Sequence, residues 1–379
     1  MPAYYTPDAC DLAQFAQLVT QTTAPQHVPH AADIIKNVPI YDCAALDTIL
    51  QTPKTRNALM AEWAKVLRDG AGVIVLKAAY ADTDPIDAAT QVYDQIIADE
   101  AGSGGADHFA AAGNNARIWN ALQKLCLTAP AVFAQYFANP AIAAACEAWL
   151  GPNYQMTAQI NLVRPGGAAQ QAHRDYHLGF QTAEISAQYP ALVHELSAGL
   201  TLQGAVAHTD MPVESGPTKL LPFSQAYAPG YAAWRREDFR AYFEENYIQI
   251  PLQKGDVIFF SPALFHAAGA NTSQDVQRMA NLLQVSSAFG RAMETIDRTA
   301  MCKALFPALQ ATPASPARDA AIGACAEGYS FPTNLDRDPP VGGLAPQTQA
   351  ALFHAALDAG WDAATFARAL DAMAARQRA

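Results

Sequence analysis

YQMTAQINLV (Tyr154–Val163), closed by RPGG (Arg164–Gly167) and followed by QQAHRDYHLGF (Gln170–Phe180), decides how the rest of the chain is read. The first run is apolar, short and stopped by a Pro-Gly turn, which is the signature of a strand rather than a helix. The same texture recurs to about Phe289. AGLTLQGAVAH (Ala198–His208), TKLLPF (Thr218–Phe223), IQIPL (Ile248–Leu252), DVIFF (Asp256–Phe260) and RMANLLQVSS (Arg278–Ser287) are separated by ESGP, PG and KGD breaks. Many short strands at turn-punctuated spacing predict an antiparallel barrel or jelly roll.

Outward from this region the periodicity becomes helical. Asn57–Arg68 carries Leu59, Trp63, Val66 and Leu67 at helical spacing, with Gly70 as a stop, and GVIVLK (Gly72–Lys77) reads as a strand. Asp84-Pro85 and Asn139-Pro140 each pair an N-cap residue with Pro at the first helical position. Gly102 and Gly151 stop the helices they open. HFAAAGNNARIWN (His108–Asn120) reads as a loop over something, and Thr312–Pro340 as the least regular stretch; Gln347–Ala359 and Asp362–Arg376 are helical again. The expectation is a single domain over 1–379. A mainly helical N-terminal elaboration with one strand fills 1–150, a jelly-roll catalytic core 151–290, and a helical C-terminal elaboration 291–379. The fold class is a mainly β core, a double-stranded β-helix (jelly roll, cupin-like), flanked by N- and C-terminal α-helices.

At one domain per ~150 residues, 379 residues allow two or three domains or one with large elaborations. Hydrophobic residues at 51% and charged residues at 16% support a sizeable core and exclude disordered or fibrous classes. The net charge of −11 gives no global attraction to phosphate backbones or anionic membranes, so neither nucleic acid nor a membrane is an expected partner; a small-molecule substrate is. No apolar run is long enough to span a bilayer, and the start does not read as a signal peptide. Six scattered cysteines without a CxxC pair argue against a zinc knuckle or disulfide scaffold and suit a reducing cytoplasm. Oligomeric state is not readable.

The chemistry concentrates in QQAHRDYHLGF. His173 and Asp175 stand two apart, so in a strand they share a face. A third ligand must come from elsewhere, and KGDVIFFSPALFHAAGANTSQDVQR supplies His266. Two imidazoles and one carboxylate on one side of an ion leave the opposite side open, the arrangement of non-heme Fe(II) oxygenases, where a bidentate 2-oxo acid and O2 can bind. Arg278 follows on the next strand run; a guanidinium pairs bidentately with a carboxylate tail such as that of 2-oxoglutarate. A second H-x-D, His208-Thr209-Asp210, competes for the metal role. Arg278 could instead be a surface residue paired with Asp275 or Glu294. His177, two beyond Asp175, lies on the ligand face as a substrate-pocket or core residue, and Arg117 is a candidate for an anionic substrate or a solvated loop residue.

These elements in order resemble the phytanoyl-CoA dioxygenase family of Fe(II)/2-oxoglutarate-dependent oxygenases. The resemblance covers roughly Trp63–Phe289: a helix and strand around DGAGVIVLK; H-x-D-x-H as His173-Arg174-Asp175-Tyr176-His177; the turn ESGPTKLLPFS (Glu214–Ser224); and Gly255, Asp256, Phe260, His266 and Arg278. It implies a site of His173, Asp175 and His266 with Arg278 holding 2-oxoglutarate. It also implies amides on the face of TAQIN shared by Thr157, Gln159 and Asn161, with Asn161 first choice and Gln159 second. Two positions depart from the pattern. Phe223-Ser224-Gln225 replaces Gly-Ser-His, and Ala268 stands where many members carry a hydroxyl two residues after the distal His. Halogenases resembling this family lack the carboxylate, so Asp175 implies hydroxylation or a related oxidation of a small metabolite or natural-product intermediate, with release of succinate and CO2. The alternatives are a cupin-like metalloenzyme that does not use 2-oxoglutarate and a non-catalytic jelly-roll binding protein. The lid is expected to draw on His108–Asn120 and Tyr227–Tyr247.

Overall fold

The computed structural model describes residues 2–100 and 115–378. The strands are β1 (Asp33–Ile35), β2 (Val38–Asp42), β3 (Val73–Lys77), β4 (Asn115–Ile118), β5 (Gln155–Val163), β6 (Thr201–Ala207), β7 (Lys219–Leu220), β8 (Val257–Phe260), β9 (His266–Ala267) and β10 (Arg278–Ser286). Among the described residues, eight of them form one sheet in the order β1-β2-β3-β8-β6-β10-β5-β4, and β7 pairs with β9 in a second. The large sheet is antiparallel except for the β2–β3 pair. Single bridges, His173 to His266, Leu220 to Ile248 and Met211 to Leu252, extend the small sheet across the face of the large one. The result is a jelly-roll core that is open rather than a closed barrel.

Register explains why the strands alternate as they do. Leu282 lies opposite Gln159 and Ala205, Ala280 opposite Asn161, Gln284 opposite Gln203, and Ile258 opposite Ala205, so these side chains share one face. The intervening residues, among them Ile160, Met279, Leu283, Leu202, Val206, Phe259 and Ile74, are buried on the other face. That second face is sealed by helices, including Pro53–Asp69, Pro140–Leu150 and Arg298–Leu309, which bring Leu59, Trp63, Ile142, Cys146, Leu305 and Phe306 against it. One face thus belongs to the core, and the first looks into the space between the two sheets.

The Asn139 carboxamide oxygen accepts from the Ala141 and Ile142 amides, Pro140 follows at the first position, and Gly151 ends the helix at φ 81°, as the sequence predicts. Three features differ from expectation. Three strands besides β3, namely β1, β2 and β4, precede residue 150. The β1–β2 hairpin turns on Lys36-Asn37 with φ of 50° and 71°, a primed two-residue turn whose usual first residue is Asn, Asp or Gly, so Lys hides it. Of the stretch read as a loop, Asn115–Ile118 is the edge strand β4, and residues 108–114 lie outside the described residues. Within Thr312–Pro340, Pro316–Cys325 is a helix capped by Ser315, whose hydroxyl accepts from the Arg318 amide.

Candidate metal centre

The backbone brings the ligands together before any side chain is considered. The His173 and His266 amides each donate to the other's carbonyl, at 3.0 and 3.2 Å, and the Asp175 amide donates to the Pro262 carbonyl at 3.1 Å. His173 Nε2 lies 3.6 Å from Asp175 Oδ1, His266 Nε2 lies 3.3 Å from Asp175 Oδ2, and one ligand atom from each residue falls within 4.8 Å of the others. Ligands about 2.1 Å from one ion at near right angles stand roughly 3 Å apart, so little adjustment is needed. Each imidazole donates Nδ1–H to the carbonyl two residues upstream, His173 to Gln171 and His266 to Leu264, both at 2.8 Å. This fixes the tautomer and aims both Nε2 lone pairs at the carboxylate, the orientation a metal requires. Two neutral imidazoles and one carboxylate with an open side fit divalent iron.

The charges agree. Burial pushes the Asp175 carboxyl up, but His173 and His266 outweigh it and hold the group well below the usual carboxylate range. Burial lowers His266, and the neighbouring His173 adds to that. Burial opposes the protonated form of His173 too, but the Asp175 charge and hydrogen bond win and leave it raised.

The surrounding contacts hold this geometry. The Gln203 amide on β6 donates to Asp175 Oδ2, and the Tyr231 hydroxyl donates to the Asp175 carbonyl at 3.2 Å. Between the two ligands, Arg174 points away from the centre and is buried among the Tyr231 and Phe265 rings, each 5.2 Å from its guanidinium carbon. It donates to the Ser224 and Tyr227 carbonyls at 2.6 and 3.0 Å. Gln203→Leu keeps the volume but removes the carboxylate's donor. Metal affinity is expected to fall about 10- to 100-fold, measured by Mn(II) titration; an unchanged affinity would make Gln203 mere lining.

A cavity of about 610 Å³ opens onto the ligands between the two sheets. Arg278, Asn161, Gln159 and Arg117 all line it. Arg278 is buried, donates to the Ser215 and Gly269 carbonyls at 3.0 and 3.3 Å, and has no carboxylate partner among the described residues. The expected competitor Glu294 instead accepts from the Asn120 amide. Burial pulls the Arg278 guanidinium down to about 10. Asn161 Oδ1 is buried without a hydrogen-bond partner, and Gln159 Oε1 accepts from Arg117 at 2.9 Å. Ala268 also lines the cavity and contributes no hydroxyl.

His177 is a correction. Strand alternation stops at Asp175, because Tyr176 and His177 take φ of 63° and 39°. The turn carries His177 out of the cavity lining to within 3.1 Å of the Ser197 hydroxyl. Residues that the sequence reading missed include Gln203, Trp234 and Arg240, all lining the cavity. Gln203 had a signal, as a polar residue at an inward position of an otherwise apolar run.

The rival H-x-D lies on the other side of the large sheet. His208 is buried, with Nδ1 2.8 Å from the Thr90 hydroxyl and Nε2 2.8 Å from the Tyr136 hydroxyl, and Asp210 accepts from the Lys254 amide. Burial drives the His208 imidazole down to about 3. The unfolded chain takes up this proton near pH 6.5, while the folded chain resists to about pH 3. Stability is therefore lost as pH falls below 6.5, by up to about 1.4 kcal/mol per unit from this group. Urea midpoints at pH 7 and 5 should converge in His208→Gln, which keeps the metal site; an unchanged pH slope would contradict the assignment.

This fold and site define a jelly-roll protein with a two-histidine, one-carboxylate centre. A profile of the phytanoyl-CoA dioxygenase family matches residues 56–280, and the chain belongs to that family. Dioxygenase andF of Emericella variicolor is 27% identical over 144 residues, covering 37% of this chain and 45% of that protein. Dioxygenase trt7 of Aspergillus terreus is 27% identical over 128 residues, covering 34% and 39%. The chain therefore spans less than half the length of these relatives. Among solved structures, the non-heme alpha ketoglutarate-dependent epimerase SnoN from nogalamycin biosynthesis aligns at 20% identity and TM-score 0.43, over 62% of this chain and 82% of its own. The carbocyclase SnoK from the same biosynthesis aligns at 20% and 0.40, over 60% and 83%. No helix among the described residues is long and apolar enough to cross a membrane.

Proposed function

We propose that the chain is an Fe(II)/2-oxoglutarate-dependent dioxygenase that hydroxylates a C–H bond of a small metabolite or natural-product intermediate. The observation that carries this is the placement of His173, Asp175 and His266 with both imidazole tautomers fixed toward one point, beside a cavity lined by the buried Arg278, which has no carboxylate partner among the described residues. His173, Asp175 and His266 hold the iron. Arg278 receives the distal carboxylate of 2-oxoglutarate, and Asn161 and Gln159 offer amides to the same co-substrate. The bound iron and co-substrate supply oxidation by O2 with release of succinate and CO2. The protein contributes position and dryness: the apolar floor of Ile258, Phe260 and Leu282 excludes water, and Gln203 keeps the Asp175 carboxylate turned to the centre. An intact Asp175 supports hydroxylation over halogenation. The chain works as one catalytic unit, and its six free cysteines suit a reducing cytoplasm.

The test is anaerobic. Addition of Fe(II) and then 2-oxoglutarate to the metal-free protein should give a visible charge-transfer band. The band should be lost in His173→Ala and kept in His208→Gln. Absence of the band in the unmodified protein would sink the co-substrate assignment and favour a cupin-like metalloenzyme.

A further inference from the structure

The cavity is cationic in an acidic protein. Among the described residues, four arginines line it and Asp175 is its one carboxylate, although the chain carries −11 overall. Arg174 is fixed by carbonyls behind the metal ligands, Arg278 is assigned above, and Arg117 bonds Gln159. Arg240 remains. Among the described residues its side chain makes one hydrogen bond, from Nε to the Trp234 carbonyl at 3.2 Å, and neither terminal nitrogen has a protein partner. Of the acids on its own helix (Glu237–Asn246), Asp238 pairs with Arg236 and Glu244 with Lys219, while Glu237 and Glu245 make no ion pair with Arg240. A second guanidinium, Arg235, lies 3.9 Å from the Trp234 ring centroid while Arg240 lies 5.4 Å from it; the two arginines oppose each other's charge, and the exposed carboxylate of Glu184 acts on Arg235 without forming an ion pair with either among the described residues. Like charges held side by side at a cavity wall are unfavourable until an anion joins them. Arg235 is tied to the Gly179 and Gln181 carbonyls, which leaves the planar fork of Arg240 as the one facing the cavity. Trp234 lies beside Arg240, and Phe180, Trp119 and Met293 add apolar surface to a lining that also holds the amides of Gln170, Gln171 and Gln203.

The geometry points to a primary substrate that is a carboxylate on an apolar, ring-bearing body, with Arg240 as the residue that selects the acid. This deepens the oxygenase reading and rests on it only in reserving Arg278 for 2-oxoglutarate. One anion at each arginine would hold two acids in the same cavity, with the substrate's apolar body lying along Trp234 and Phe180.

The probes are 2-naphthylacetate and its neutral primary amide, titrated calorimetrically into the full chain loaded with Mn(II) and 2-oxoglutarate. The acid is expected to bind about tenfold or more tightly than the amide. That preference should fall to about onefold in Arg240→Gln, be partly restored in Arg240→Lys, and persist in Arg278→Gln. Equal binding of acid and amide in the unmodified protein, or an acid preference that survives in Arg240→Gln, overturns the proposal. A preference lost only in Arg278→Gln also overturns it, because the acid was then occupying the co-substrate's anchor. The charge-transfer band is recorded in parallel. Its absence defeats the oxygenase reading but leaves the acid-to-amide ratio readable, and its persistence in Arg240→Gln shows that the metal site is unharmed.

Discussion

Asp175→Ala is expected to weaken iron binding by more than ~100-fold and to abolish the Fe(II)/2-oxoglutarate charge-transfer band. Loss of a partner behind a ligand already costs about 10- to 100-fold, and here the ligand itself goes, with the only negative charge among the three. The neighbours should respond in a defined direction. His173 is raised because Asp175, helped by the Gln171 carbonyl, outweighs its burial; without the carboxylate, burial exceeds the Gln171 hydrogen bond, Arg240 adds to it, and the titration should move below the usual imidazole range. Asp175 titrates well below the usual carboxylate range, so at neutral pH it contributes stability that is present above that range and lost as pH falls through its lowered value. The metal-free variant should therefore be less stable at pH 7, with a flatter acid limb. Iron affinity unchanged within twofold, by equilibrium dialysis, would remove Asp175 from the site.

Arg278→Met should separate co-substrate from metal. Truncating one partner of a buried charge pair costs about 2 to 5 kcal/mol, so 2-oxoglutarate should bind roughly 30- to several thousand-fold more weakly while Mn(II) binds as before. The free protein should change little. Two carbonyls, Ser215 and Gly269, lose their donor, but a desolvated cation without a carboxylate is removed as well. The rise in thermal midpoint that 2-oxoglutarate gives the metal-loaded protein should disappear in the variant. A retained rise would place the distal carboxylate elsewhere.

The parts of the site that were legible in sequence are those written locally. H-x-D, a distal His followed by Arg, and the amides alternating in TAQIN reach one cavity because each sits on or beside a strand whose period is two. His177 misled because the extended run ends at Asp175, two residues before the pattern does; two positive φ values at non-glycine residues leave no compositional trace. Gln203 stood out only as a polar residue in an apolar run, and Arg240 not at all, for a different reason. Their roles depend on which strand pairs with which and on how the Glu237–Asn246 helix packs, and such non-local facts are absent from spacing. The β1–β2 hairpin was hidden by an unfavoured turn residue, whereas β3, β5, β6, β8 and β10 were announced by their own apolar runs.

The segment Tyr227–Tyr247, read from sequence as a lid, is joined to the loop that carries the ligands. Tyr231 holds the Asp175 carbonyl, Arg235 holds those of Gly179 and Gln181, and Arg174 reaches into Ser224 and Tyr227. Gly230 sits so close to the Arg174 guanidinium that an added Cβ would fall 1.9 Å from its central carbon. A door hinged here would have to drag the iron ligand with it. Seen mechanically, this segment is a lever whose short arm ends at the Asp175 backbone and whose long arm is the wall bearing Trp234 and Arg240. A molecule pressing on that wall would bear, through Tyr231 and Arg235, on the backbone carbonyls of Asp175, Gly179 and Gln181.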